Sequence, residues 1–187
     1  MKEREALQTK AAHGDVVAFE ALMRDTKAGL YRFVRRYVGD ADETYDLVQE
    51  AYAAAWLAIG RYEPERSFEA WLRTIAINKC RDWSRRRSIR RLFSGATDLQ
   101  SAEALAVPDD EAGQEDQYDA AEQAQRLHEA IAALPPKLKE PLLLTAIEER
   151  SHAEAAEILG LSAKAVEMRV ARARQKLAQH FRAGLTD

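Results

Sequence analysis

The chain has 187 residues, of which 47% are hydrophobic and 32% charged, with a formal net charge of −3. It can bury one core or two small ones under a charged surface. No apolar run approaches the roughly 20 residues that span a bilayer, and Met1-Lys2-Glu3-Arg4-Glu5 leads into no apolar signal segment. A lone Cys80 cannot pair within the chain, which points to a cytoplasmic protein.

Glycine and proline are scarce, and no segment alternates apolar and polar residues for long, so the chain reads as all-α. Asp15 can cap a helix whose apolar positions are Val16, Phe19, Leu22 and Met23. A second stripe, Leu30, Phe33, Val34, Tyr37 and Val38, stops at Gly39, a C-terminal cap. Asp40 or Asp42 can start a helix carrying Val48, Ala51, Tyr52, Ala55 and Ile59, stopped at Gly60. Gly60 to Arg66, with Pro64, reads as a loop. Ser67 then caps a helix whose buried face is Phe68, Trp71, Leu72, Ile75 and Ala76.

That helix ends in Lys79, Arg81, Arg85, Arg86, Arg87, Arg90 and Arg91. The composition then reverses: from Ser94 to Gln125 there is no lysine or arginine, while acids accumulate through Asp109, Asp110, Glu111, Glu115 and Asp116. The pattern predicts two small helical domains, 1–91 and 119–187, joined by a flexible acidic linker over 92–118. In the second domain a stripe through Ala124, Leu127, Ile131 and Leu134 ends at Pro135-Pro136. A short helix follows through Leu138, Leu142, Leu143 and Ala146. Ser151 and Glu154 have capping-box spacing, and the helix they start ends at Leu159-Gly160. Ser162 caps a last helix. Two helices joined by a tight glycine turn form the helix-turn-helix pattern.

At 100° per residue the last helix turns Val166, Val170, Ala173 and Leu177 inward. Lys164, Met168, Ala171 and Gln175 face away, flanked by Glu167 and Arg172, with Arg169 at the margin. Lysine and arginine suit phosphates and guanine edges, glutamate can accept from cytosine, and methionine can pack on a thymine methyl. Taken with Leu134-Pro135-Pro136-Lys137-Leu138-Lys139-Glu140 and Ala155-Ala156-Glu157-Ile158-Leu159-Gly160-Leu161-Ser162, this helix resembles region 4 of bacterial extracytoplasmic-function (ECF) sigma factors of the sigma-70 family. The resemblance implies −35 promoter recognition through Lys164, Glu167, Met168, Arg169 and Arg172, with His152 near a phosphate. Ala165 departs from the threonine many members carry there.

Independently, Asp46-Leu47-Val48-Gln49-Glu50-Ala51-Tyr52 with Ala55-Trp56 resembles the region 2 helix that binds the β′ clamp helices of RNA polymerase. It implies polymerase contacts by Asp46, Leu47, Gln49 and Glu50, with Trp56 nearby. Ser67-Phe68-Glu69-Ala70-Trp71-Leu72-Arg73-Thr74-Ile75-Ala76-Ile77-Asn78 is similar to the promoter-melting and −10-reading part of region 2. Opening DNA requires bases held in pockets and phosphates held by cations. The candidates are Arg61, Thr74, Asn78, Arg81 and Arg85, whereas Phe68, Trp71 and Trp83 fall on the apolar face.

The resemblance implies a non-enzymatic transcription initiation factor whose partners are core RNA polymerase (β′ and β subunits), promoter DNA and an anti-sigma factor, in the family often membrane-bound. It implies no cofactor and no membrane insertion. His13, His128, His152 and His180 are scattered, and none pairs with Cys80 or a carboxylate cluster at metal spacing. A helix-turn-helix regulator that binds DNA without polymerase is the alternative. The first half lacks the strands of a receiver domain.

Overall fold

The computed structural model describes residues 2–94 and 114–183, and these are helical with no strand among them. The order is α1 (Lys2–Ala12), α2 (Val16–Val38), α3 (Ala41–Leu57), a 3₁₀ turn (Ile59–Arg61), α4 (Phe68–Ser94), α5 (Gln114–Ala133), α6 (Pro136–Leu142), a π turn (Leu143–Ile147), α7 (His152–Leu159) and α8 (Ala163–Ala183). Of the segment read as a linker, residues 95–113 lie outside the described residues; α5 begins at Gln114.

Helix α1 has no counterpart in the sequence reading. It buries Ala11 and Gln8 and packs on α2. The stripes on either side of Met23 belong to one 23-residue helix, α2. The Asp15 carboxylate accepts the Ala18 N–H at 3.0 Å, and Gly39, at φ 87°, returns its N–H to the Arg35 carbonyl at its end. Asp40 rather than Asp42 caps α3, accepting the Glu43 N–H at 2.9 Å. Helix α3 closes at Leu57, short of Gly60, which sits inside the 3₁₀ turn. Below that turn the Tyr62 ring lies 5.5 Å from Phe68 and 4.9 Å from Trp71, and its hydroxyl donates to the Arg66 carbonyl at 2.6 Å. The loop leading into α4 is thereby fixed on an aromatic floor. Helices α1 to α4 close over Leu22, Leu30, Phe33, Leu47, Phe68, Leu72 and Ile77.

In the second group Pro136 occupies the first turn of α6, where its missing N–H costs nothing. Pro141 stands inside α6, and the backbone widens directly after it into the π turn. Ser151 and Glu154 form the reciprocal capping box of α7, and Gly160, at φ 65°, ends it. Ser162 accepts the Ala165 N–H at 3.2 Å to start α8. Helices α6 and α7 pack on the Val166, Val170, Ala173 face of α8.

The two groups also pack on each other. Helix α5 and the π turn lie against α2, and α6 and α7 lie against α4. The buried side chains of both form one continuous cluster.

Candidate nucleic-acid and protein interfaces

Helix α8 presents the outward face its periodicity predicts. Lys164, Glu167, Met168 and Arg172 are exposed, Met168 to 47%, and Arg169 is half-buried at the margin. Lys164 donates to Glu167 at 3.0 Å, an exposed pair worth little in water and free to exchange for a nucleic-acid partner. His152 is exposed at the first residue of α7. The face is rigid because α7 is capped at both ends and the Gly160 turn fixes its approach to α8.

On α3, Asp46 and Gln49 are exposed, and Glu50 is half-buried in an ion pair with Lys79 at 3.4 Å. Tyr45 stands 57% exposed beside them. Leu47 departs from the sequence reading: it is only 2% exposed and lies in the core, so it supports the surface from beneath. Trp56 is half-buried, its ring 5.1 Å from Phe19.

The α4 candidates divide into two sets. Arg61, Asn78 and Arg85 are exposed, Arg85 in an ion pair with Asp82. Thr74 and Arg81 instead meet the second group of helices. The Thr74 hydroxyl is 3.2 Å from both the Ala70 and the Ile158 carbonyls. Arg81 holds the Glu140 carboxylate with two parallel bonds, Nε at 2.8 Å and Nη2 at 2.6 Å, while its Nη1 donates to Asn78 at 3.2 Å. The carboxylate raises the Arg81 pKa. Phe68 is buried, Trp71 half-buried, and Trp83 is buried with its indole N–H donating to Glu43 at 2.8 Å.

The sequence reading missed the charges that join the groups. Lys139 is 3% exposed and Glu140 2% exposed, adjacent residues on α6. Lys139 donates to the Tyr37 carbonyl at 2.9 Å and the Ala132 carbonyl at 2.6 Å. Burial lowers its pKa to about 8. Glu140 also accepts from the Tyr37 hydroxyl at 3.4 Å. On the other flank Arg73, 2% exposed, pairs with Glu148, which Arg150 approaches at 3.8 Å. Burial lowers the Arg73 pKa and raises that of Glu148. Lys139 to Leu144 is buried without a break, so this stretch lies between other elements, and nothing in its local pattern marks the two charges as buried.

His128 is half-buried, and its Nε2 is buried without a hydrogen-bond partner among the described residues. Burial and then Arg35 and Arg36 lower its pKa. Cys80 is free and buried, its thiol pushed up to about 12 by burial. Among the described residues no group of His, Cys, Asp and Glu could hold a metal ion, and no helix is long and apolar enough to cross a membrane.

Residues 22–90 match the family described as Sigma-70 region 2, and residues 124–177 match Sigma-70, region 4. The chain is 39% identical over 172 residues to the RNA polymerase sigma factor CnrH of Cupriavidus metallidurans, covering 91% of this chain and 90% of that one. It is 37% identical to the RNA polymerase sigma factor NccH of Alcaligenes xylosoxydans xylosoxydans, covering 92% and 91%. Among solved structures it is similar to CnrH in complex with the cytosolic domain of CnrY, with a TM-score of 0.70, 31% identity and coverage of 96% and 97%. The sigma factor RpoE in complex with the anti-sigma factor NepR from Bartonella quintana has a TM-score of 0.67 at 23% identity, covering 89% and 98%, and shows the shared fold alone.

Proposed function

Because the chain belongs to the ECF group of the sigma-70 family of RNA polymerase sigma factors, we propose how its surfaces divide the work of bringing polymerase to a promoter. The Asp46, Gln49, Glu50 face of α3 docks on core polymerase, with Tyr45 and Trp56 at its edges. Arg61, Thr74, Asn78, Arg81 and Arg85 take the −10 element, and Lys164, Glu167, Met168, Arg169 and Arg172, with His152, take the −35 element. Residues 1–91 act as the region 2 domain, 119–187 as the region 4 domain, and 92–118 as the connection between them. The protein works in the cytoplasm as a binding factor with no catalytic chemistry of its own.

The observation that carries this reading is the presence of both surfaces in one chain. The exposed polar face of α8 follows a capped helix and a left-handed glycine, and a polar α3 face stands beside a basic α4. A regulator that acts without polymerase has no need of the second. CnrH is seen with the cytosolic domain of CnrY, and we infer that this chain too is regulated by a protein partner, an anti-sigma factor that covers its two domains.

Run-off transcription with core polymerase on the promoter of the protein's own operon tests the assignment. Specific transcripts that require the protein support it. Promoter binding by the protein alone, with no gain in transcription when core is added, favours the polymerase-independent regulator.

A further inference from the structure

A cavity of about 510 Å³ lies where the end of α2, the C-terminal half of α4, the end of α5 and the start of α6 meet. Its size falls in the range of small-molecule sites, roughly 300–1,000 Å³. One part of its wall is apolar, formed by Val38, Ala132 and Leu134, and the rest carries Ser84, Arg87, Ser88, His128 and Lys139. None of these residues belongs to the surfaces assigned above to polymerase or promoter DNA, so the cavity has no part in that division of work.

Two cations share the polar part of the wall. The Arg87 guanidinium sits over the Trp83 ring, 5.1 Å from its centre, a contact that does not use its N–H donors. The Lys139 ammonium gives two bonds to the Tyr37 and Ala132 carbonyls, and an ammonium carries a third N–H. The two charges act against each other: burial lowers the Lys139 pKa most, and Arg87 lowers it further. Arg35 and Arg36 act in the same sense, after burial, on His128, whose Nε2 is buried without a hydrogen-bond partner among the described residues. The acids at the wall are Asp40 and Glu129. Asp40 accepts the Glu43 N–H as the cap of α3, and Glu129 accepts from Gln125. The cavity thus gathers positive charge whose natural complement is an anion.

We propose that this cavity binds a small organic phosphate, with the phosphate between Arg87 and Lys139 and the remainder of the molecule against Val38, Ala132 and Leu134. A carboxylate would neutralise one of the two cations, whereas a phosphate dianion matches both. A guanidinium fork and an ammonium are the side-chain groups that hold phosphate oxygens best. The ligand is an organic phosphate rather than the inorganic ion because the apolar wall lies beyond the reach of a phosphate alone and is suited to a carbon skeleton.

The test uses the full chain at constant ionic strength, with ribose 5-phosphate, inorganic phosphate and ribose as probes. The readout is the ring resonances of His128, assigned by their loss in His128→Gln, with those of His13 and His180 as remote controls. Ribose 5-phosphate is expected to shift His128 alone of these three and to saturate with a Kd below about 1 mM. Inorganic phosphate should bind about fivefold more weakly or worse, and ribose should give no shift up to about 10 mM. Arg87→Gln should weaken ribose 5-phosphate by about tenfold or more, the loss expected of a charge-assisted hydrogen bond. Arg86→Gln makes the same change of charge at an exposed neighbour outside the cavity and should stay within about twofold. Where circular dichroism shows that Arg87→Gln has lost helix, Ser88→Glu serves, since Ser88 is exposed at the rim and an added carboxylate there should abolish binding. No saturable shift of His128 by either phosphate overturns the site. Equal weakening by Arg86→Gln and Arg87→Gln overturns it too, by reducing it to general attraction of anions. Inorganic phosphate binding as tightly as ribose 5-phosphate overturns the organic ligand. Because none of these measurements involves polymerase or promoter, failure of the site leaves the sigma-factor assignment untouched.

Discussion

Lys139 and Tyr37 are joined twice across the two groups of helices: the ammonium donates to the Tyr37 carbonyl at 2.9 Å and lies 4.6 Å from the centre of the Tyr37 ring. The Tyr37 hydroxyl reaches the neighbouring Glu140. Two carbonyls, those of Tyr37 and Ala132, and a ring thus solvate a cation that has left water, and that replacement is incomplete, since burial still lowers the Lys139 pKa to about 8.

The sign of the resulting pH dependence follows from linkage. Between about pH 8 and 10.5 the unfolded chain keeps the Lys139 proton and the folded chain releases it, so this group makes stability rise with pH. The full effect is on the order of 3 kcal/mol at about 1.4 kcal/mol per pKa unit. Cys80 opposes it above pH 9, where the unfolded thiol ionises and the folded one, held at about 12, does not. Denaturant unfolding of the parent and Lys139→Met at several pH values separates the two. The parent should gain on the variant as pH rises through this window, and parallel curves would mean that the buried ammonium is not destabilised.

Gly39 offers a test of the same junction from the backbone. Its φ of 87° lies in the left-handed region, and an added Cβ would stand 3.4 Å from Ala132 on α5. Gly39→Ala should cost about 1–2 kcal/mol from the backbone alone, which for a chain of this size lowers Tm by roughly 2–8 °C. An unchanged Tm would show that the α2 end adjusts and that α5 yields to it.

The polymerase face can be separated from its support. Asp46→Ala with Gln49→Ala removes exposed groups, so stability should stay within about 0.5 kcal/mol while affinity for core polymerase falls. Leu47→Ala removes a core side chain and should cost about 2–5 kcal/mol in stability. Stability loss in the double variant with normal core affinity would place the docking surface elsewhere.

What the sequence disclosed was set by the reach of each interaction. Asp15, Gly39, Ser67, the Ser151–Glu154 box, Gly160 and Ser162 act within four residues of themselves, so their roles were legible in advance. The inward face of α8 was equally clear, because one helix repeat fixes it. Helix α1 escaped notice because it has no amphipathic stripe and is held by α2 instead. The ties of Arg81 to Glu140 and Arg73 to Glu148 span 59 and 75 positions, and no local pattern distinguishes such charges from solvated ones. Leu47 was misplaced for a related reason: the motif marked the helix, and only packing showed which side of it faces the core.

The recognition helix yields the sharpest test, because its cations differ in position. Arg172 is exposed on the outward face, whereas Arg169 is half-buried at its margin, a position that suits a phosphate contact better than a base edge. Lys164 begins the face and donates to Glu167. Loss of a base-edge contact costs roughly 1–3 kcal/mol and relaxes preference at one position, whereas loss of a phosphate contact weakens all sequences alike and lowers the salt slope by about one. Arg172→Ala and Lys164→Ala should therefore impair transcription from a cognate promoter more than from one altered in a single −35 base pair. Arg169→Ala should impair both equally, with a shallower salt dependence. Asn78→Ala, exposed on α4, supplies the contrast: holoenzyme carrying it should bind the −35 region normally and fail in strand opening, read by permanganate reactivity of unpaired thymines. Equal losses on every promoter for all four variants would mean that these residues serve the fold or the polymerase contact, and that the outward face of α8 does not read bases.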